Sequence, residues 1–197
     1  PGVFADAKLK FLVEKEITMN KEIFKKIFPY VVAIVTFIIL ALAYVSPVLD
    51  GKIINAGDTK SWQGMAREVQ EYRETGNNTF WTGSMFGGMP SYQISGQYPT
   101  PAVDINFRNI AQLFFSSTLA QVLCLFLGYF ILLRAFNINV WLSIIGAIAT
   151  ALSSYFMLII PAGHNTKADA LGFLPVIIGG FYLIFRKKYG WGIILTM

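Results

Sequence analysis

Long apolar runs separated by short polar punctuation dominate the chain: 30–49, 118–136, 140–160 and 171–185, with a further run opening at Tyr189. A helix crossing the hydrocarbon core of a bilayer needs about 20 apolar residues, and each of the four runs approaches or meets that length. The pattern predicts an all-α fold, a polytopic transmembrane helix bundle. Its parts are an N-terminal segment at 1–29, spans at 30–49, 118–136, 140–160 and 171–185, a long loop at 50–117, a shorter loop at 161–170, and the start of a fifth span at 189–197.

The long loop has its own pattern. Ser46-Pro47 and Asp50-Gly51 punctuate the exit from the first span. Gly57-Asp58-Thr59 reads as a turn into a helix, with Asp58 or Thr59 at the cap. From Ser61 to Glu74, Trp62, Met65, Ala66 and Val69 recur at helical spacing, with Arg67, Glu68, Glu71, Arg73 and Glu74 mainly on the wet side. These positions predict an amphipathic helix parallel to the membrane surface. Gly76-Asn77-Asn78 ends it, and Phe80-Trp81 and Met85-Phe86-Gly87-Gly88-Met89-Pro90 then join large aromatics to permissive backbone positions. A second amphipathic element is expected from Val103 to Ser117, with Ile105, Phe107, Ile110 and Leu113 opposite Asp104, Arg108 and Gln112. Within the spans, Gly128, Gly146, Ala147, Ala149 and Ala151 permit close helix approach.

Composition supports the same class: 55% of residues are hydrophobic and 14% charged, against roughly a quarter charged in soluble domains. The net charge of +5 does not mark a nucleic-acid-binding face, because the basic residues sit beside helix ends. Lys21, Lys25 and Lys26 precede the first span, Arg134 closes the second, and Arg186, Lys187 and Lys188 follow the fourth. Short flanks rich in Lys and Arg stay cytoplasmic, so the N-terminus is expected inside and the 50–117 and 161–170 loops outside. Cys124, the sole cysteine, can form no intrachain disulfide and reads as packing. Met19, followed by Asn-Lys-Glu-Ile-Phe-Lys-Lys, resembles a natural start, with 1–18 as leader or upstream sequence. The first run reads as an uncleaved signal anchor. The last run stops at Met197, so the chain is expected to be the N-terminal fragment of a longer protein.

That topology puts Asp58 and the loop His164-Asn165-Thr166-Lys167-Ala168-Asp169 on one side of the membrane. An acid near a flexible glycine, a histidine, an asparagine and a lysine at headgroup depth suits a phosphate-bearing lipid. His164 or Lys167 would stabilise the phosphate, and Asp58 would accept a proton from an attacking hydroxyl or hold a divalent metal. Asn165 and Arg67 are further candidate phosphate contacts, and Arg67 and Asp169 are the weaker candidates for the site. Plainer readings stand beside these: Asp58 as a helix cap, Asn165 or Thr166 as the cap of the fourth span, Glu68, Glu71 and Glu74 as a solvated helix face, and Arg67 paired with Glu71 at i,i+4. No metal-ligand spacing, phosphate loop or nucleophile elbow is present.

Ser-Pro-Val-Leu-Asp-Gly at the end of the first span, Gly57-Asp58, Trp62-Gln63-Gly64-Met65, Trp81-Thr82, Met85 to Tyr92, Ser153-Ser154-Tyr155 and Ala162 to Ala168 together resemble the N-terminal part of YfhO-like bacterial membrane proteins of the Bacteroidetes type. The resemblance covers roughly 19–197. It implies a branch of the C-type glycosyltransferases (GT-C), multi-spanning enzymes of the cytoplasmic (inner) membrane that move a sugar from a polyprenyl-phosphate carrier to a cell-envelope acceptor on the outer face. In that superfamily the first outer loop contains membrane-parallel helices and carries an essential acid soon after the first span; Asp58 is the matching position. A transporter or lipid flippase is one rival, but it would place polar or ionisable groups inside the spans. A non-enzymatic membrane assembly protein is the other, and it would tolerate loss of Asp58.

Overall fold

The computed structural model describes residues 2–52, 54–95 and 117–197, and their side chains from residue 21 onward apart from 48 and 49. The fold is an all-α helical bundle. In chain order the helices are α1 (Gly2–Tyr44), α2 (Ser46–Leu49), α3 (Gly57–Glu74), α4 (Tyr92–Ser95), α5 (Ser117–Ala135), α6 (Val140–Ala151), α7 (Ser154–Ala162), α8 (Asn165–Phe185) and α9 (Tyr189–Thr196). Between α3 and α4 the strands β1 (Trp81–Thr82) and β2 (Met89–Pro90) pair antiparallel, Trp81 opposite Pro90 and Thr82 opposite Met89. The second amphipathic element expected at 103–117 lies outside the described residues, apart from Ser117 at the start of α5.

Among the described residues, three helices are long and apolar enough to cross a membrane: Lys21–Tyr44 within α1, Ser117–Ala135 and Asn165–Phe185. α6 and α7 make a fourth if counted as one broken span. The chain is a multi-pass membrane protein. The run at 140–160, expected as one helix, bends by 49° between α6 and α7. The bend falls where Leu152 gives way to Ser153, whose backbone is extended and which precedes α7 without a side-chain cap bond.

The loop expected at 161–170 is nearly all helix. α7 runs through Pro161 to Ala162, Gly163 takes a left-handed φ of 99° that stops it, and α8 restarts at Asn165. The apolar run begins only at Leu171 because the first turns of α8 are polar; hydropathy marks the part of a helix that suits hydrocarbon, not the helix itself. α8 also runs parallel to α5 in close contact. A Cβ on Gly128 would lie 2.1 Å from the Gly172 carbonyl oxygen, and one on Gly172 would lie 3.2 Å from Cys124 Cβ.

α1 packs one face, Ala33, Phe37, Ala41 and Val45, into the bundle and leaves much of the remainder exposed, as a lipid-facing helix does. Phe37 stacks on Phe126 with ring centroids 5.2 Å apart and meets Phe130 edge-on at 5.6 Å. One turn pair further toward the N-terminus, the Tyr30 hydroxyl accepts from Arg134 Nη2 at 3.1 Å. Residue 30 therefore meets 134 while 37 meets 126, so α1 and α5 are antiparallel. Tyr44, α3 and the α7–α8 joint follow from this at the end of the bundle opposite Arg134, and Tyr44 reaches Met157 there through a hydroxyl to carbonyl contact of 3.5 Å.

Candidate functional site

Gly163 brings the site together. Because it has no side chain, the α7–α8 joint lies directly on the first turn of α3: a Cβ there would fall 2.7 Å from Thr59 Oγ1, 2.9 Å from Ala56 Cβ and 3.1 Å from Thr59 N. The next residue, His164, then places Nε2 3.2 Å from Asp58 Oδ2. Asp58 and His164 are 106 positions apart in the chain, and this contact is the structural meeting of the two segments that the sequence places on one side.

The cap readings of these residues do not hold. Ala56 is the N-cap of α3, without a side-chain cap bond, so Gly57-Asp58-Thr59 is the first helical turn instead of a turn before it. His164 is the N-cap of α8, also without a side-chain bond, so neither Asn165 nor Thr166 caps it. Two helix N-termini that lack side-chain caps thus meet at Gly163. The first amide groups of a helix point outward with partial positive charge, which favours the Asp58 carboxylate and any anion brought to the joint. Asp58 and His164 are 58% and 50% exposed at their side chains, so the pair is open to water and adds at most about 1 kcal/mol to stability.

The other candidates diverge from this pair. Asn165 is exposed but touches the bundle: the buried Gln121 amide donates to its carbonyl and to its Oδ1, both at 3.4 Å. Lys167 sits with Nζ 5.3 Å from the centroid of the Tyr155 ring, a cation–π arrangement. Asp169 is half-buried, one turn beyond Asn165. Arg67 is bound to Glu71, Nε to Oε1 at 2.7 Å, and lies nine residues along α3 from Asp58, about 13 Å of helix. Glu71 lies on one side of the guanidinium, which raises the already high Arg67 pKa. Asp58 and His164 supply two donors, and among the described residues no three His, Cys, Asp or Glu side chains gather to hold a metal. The described residues around this pair do not make a cage for a divalent cation.

Sequence reasoning missed Glu68. It was expected on a solvated helix face, but its Oε2 accepts from Thr82 Oγ1 at 2.5 Å and from Gly83 N at 2.8 Å. The Thr82 hydroxyl and the Gly83 amide hold its carboxyl below the usual carboxylate range. Ser84 Oγ donates to the Met65 carbonyl at 2.8 Å, Trp62 Nε1 to the Ile94 carbonyl at 2.7 Å, and Arg73 to the hydroxyl and carbonyl of Ser95. The hairpin and α4 therefore lie along α3, and the buried Ala66 and Val69 belong to this packed unit. Of the predicted apolar stripe, Ala66 and Val69 are buried, and Trp62, though bonded to Ile94, stays exposed. Gln121 was also missed: a single amide in an apolar run carries little signal until its partner across 44 residues is known.

Comparison of the chain with protein-family models, curated proteins and solved structures finds no match.

Proposed function

We propose that the chain is the front part of an integral membrane glycosyltransferase that transfers a sugar from a polyprenyl-phosphate carrier to a cell-envelope acceptor on the outer face of the bacterial cytoplasmic membrane. The observation that carries this reading is the 3.2 Å contact of Asp58 with His164 at the end of the bundle where two helix N-termini meet. In this reading the acceptor hydroxyl gives its proton to Asp58 as its oxygen bonds to the anomeric carbon. The bond from that carbon to the carrier phosphate breaks, and the electron pair leaves with the phosphate. His164 Nε2 orients the Asp58 carboxylate, and the amides of the two helix starts, with Lys167 swung from Tyr155, stabilise the departing anion. The resemblance to YfhO-like proteins and the C-type glycosyltransferases supports the same assignment, through Asp58 and the Ala162 to Ala168 segment.

The transport alternative has less support in the spans. Among the described residues, the fully buried polar side chains there are Gln121 and Ser143, and Asp169 near the start of α8 carries one buried carboxylate oxygen. Gln121 holds Asn165, and Ser143 Oγ donates back to the Asn139 carbonyl at 2.9 Å, so neither contributes to a polar path.

The test uses membranes carrying the longer parent protein that this reading requires, assayed for sugar transfer from a polyprenyl-phosphate donor. Asp58→Asn at matched protein level is expected to insert and fold normally, because the exposed pair contributes little stability, and to lose about two or more orders of magnitude of transfer. Unchanged transfer in Asp58→Asn would remove Asp58 from the chemistry. Consumption of no lipid-linked sugar by the wild type would turn the assignment toward assembly or transport.

A further inference from the structure

From Thr75 to Val103 the chain contains no Asp, Glu, Lys, Arg or His. Within this uncharged stretch the β1–β2 hairpin displays Phe80, Trp81, Phe86 and Tyr92 at 82%, 58%, 86% and 59% exposure. Phe86 also occupies a left-handed backbone position, φ 54°, immediately before Gly87 at 73° and Gly88 at 121°. Such a position suits glycine, and a bulky side chain there is strained. A phenylalanine held in that conformation and pointed away from the protein has a use outside the protein's own core.

The tip is braced. The Glu68 clasp on Thr82 and Gly83, the Ser84 bond to Met65 and the seating of Gly88 against the Trp81 indole fix its shape. Burying it therefore costs little ordering entropy. Its place is also fixed: Ser84 is anchored at Met65, six residues, or about 9 Å of helix, from Thr59 at the bundle contact. The tip is carried by the middle of α3, whose first turn meets the α7–α8 joint.

We propose that this hairpin is a membrane-interface anchor whose partner is the headgroup and upper acyl zone of the bilayer the protein spans. Phe, Trp, Tyr and Met without charge are the composition of that zone. The missing charges argue against an ionic partner, and attachment to the spans keeps the tip at high effective concentration over the lipid surface. The anchor is independent of the catalytic assignment. It holds α3, and with it Asp58, at a fixed height above the membrane.

The chain, with Cys124→Ala as background, is reconstituted in phosphatidylcholine vesicles with an environment-sensitive fluorophore at Phe86→Cys, at Phe80→Cys, or, as reference, at Asn77→Cys in the uncharged turn after α3. Lipids spin-labelled near the headgroup are expected to quench the fluorophore at 86 and 80 several-fold more than at 77, and aqueous iodide to do the reverse. Added anionic lipid or salt should leave both patterns unchanged. Equal iodide access at all three positions overturns the proposal. So does protection that rises with the protein-to-lipid ratio, which would identify a second copy, or protection seen in native membranes but not in pure lipid, which would identify a protein partner.

Discussion

Gly163 shows how much of the candidate site rests on one missing side chain. Its φ of 99° ends α7, and its bare Cα allows Thr59 and Ala56 to approach. Gly163→Ala adds a strained backbone and a Cβ 2.7 Å from Thr59 Oγ1. It is expected to destabilise the fold by more than about 1 kcal/mol and to part His164 from Asp58. Thermal unfolding in detergent reads the first effect, and the rate of His164 alkylation, faster once the imidazole leaves Asp58, reads the second. Asp58→Asn, by contrast, changes an exposed pair and should leave the unfolding temperature nearly unchanged, so the two variants separate a positioning effect from a chemical one.

At the scale of elements, α3 and the hairpin form one unit because polar groups of the helix serve the loop. The Thr82 hydroxyl and the Gly83 amide favour the ionised form of Glu68. A carboxylate whose folded pKa is depressed contributes stability that is full above the ordinary value of about 4.3 and is lost as pH falls through the folded value. Hydrogen-exchange protection of the Gly83 amide is therefore expected to hold at neutral pH and to fall in the acid range below that value. Glu68→Gln should show weak protection with little pH dependence across the same range. Protection that is insensitive to acid in the wild type would show that the clasp is not what holds the hairpin.

For the whole molecule, the parallel α5–α8 crossing at Gly128 and Gly172 brings α8, and so the joint carrying His164, to its place beside α5. Gly128→Leu forces a side chain toward the Gly172 carbonyl, where even Cβ would come to 2.1 Å. Overpacking of this kind costs about 1–3 kcal/mol, and here it also displaces the N-terminal turn of α8. The expected result is a lower yield of folded protein by size exclusion, with transfer falling even in the fraction that folds. Gly146→Ala, which meets only the end of the Leu133 side chain, is the milder comparison and should fold.

Apolar run length and flanking charge determined the helical, multi-spanning character of this protein, because crossing hydrocarbon requires about 20 apolar residues with every backbone group bonded internally. The same local signals located Asp58 and His164 as candidates at one end of the bundle and Gly128 as a packing position. They misjudged the 161–170 segment because hydropathy does not register the polar first turns of α8, and the wet face of α3 because Glu68 is held by partners distant in sequence. Helical periodicity shows that Trp62, Met65, Ala66 and Val69 share a face, but not that Ala66 and Val69 are buried while Trp62 bonds the Ile94 carbonyl and stays exposed. Only tertiary structure could show that Glu68 clasps Thr82, that Gln121 donates to Asn165, and that Gly163 lets His164 reach Asp58. Those contacts join residues 14, 44 and 106 positions apart, and their geometry is set by helix crossings that no local pattern encodes.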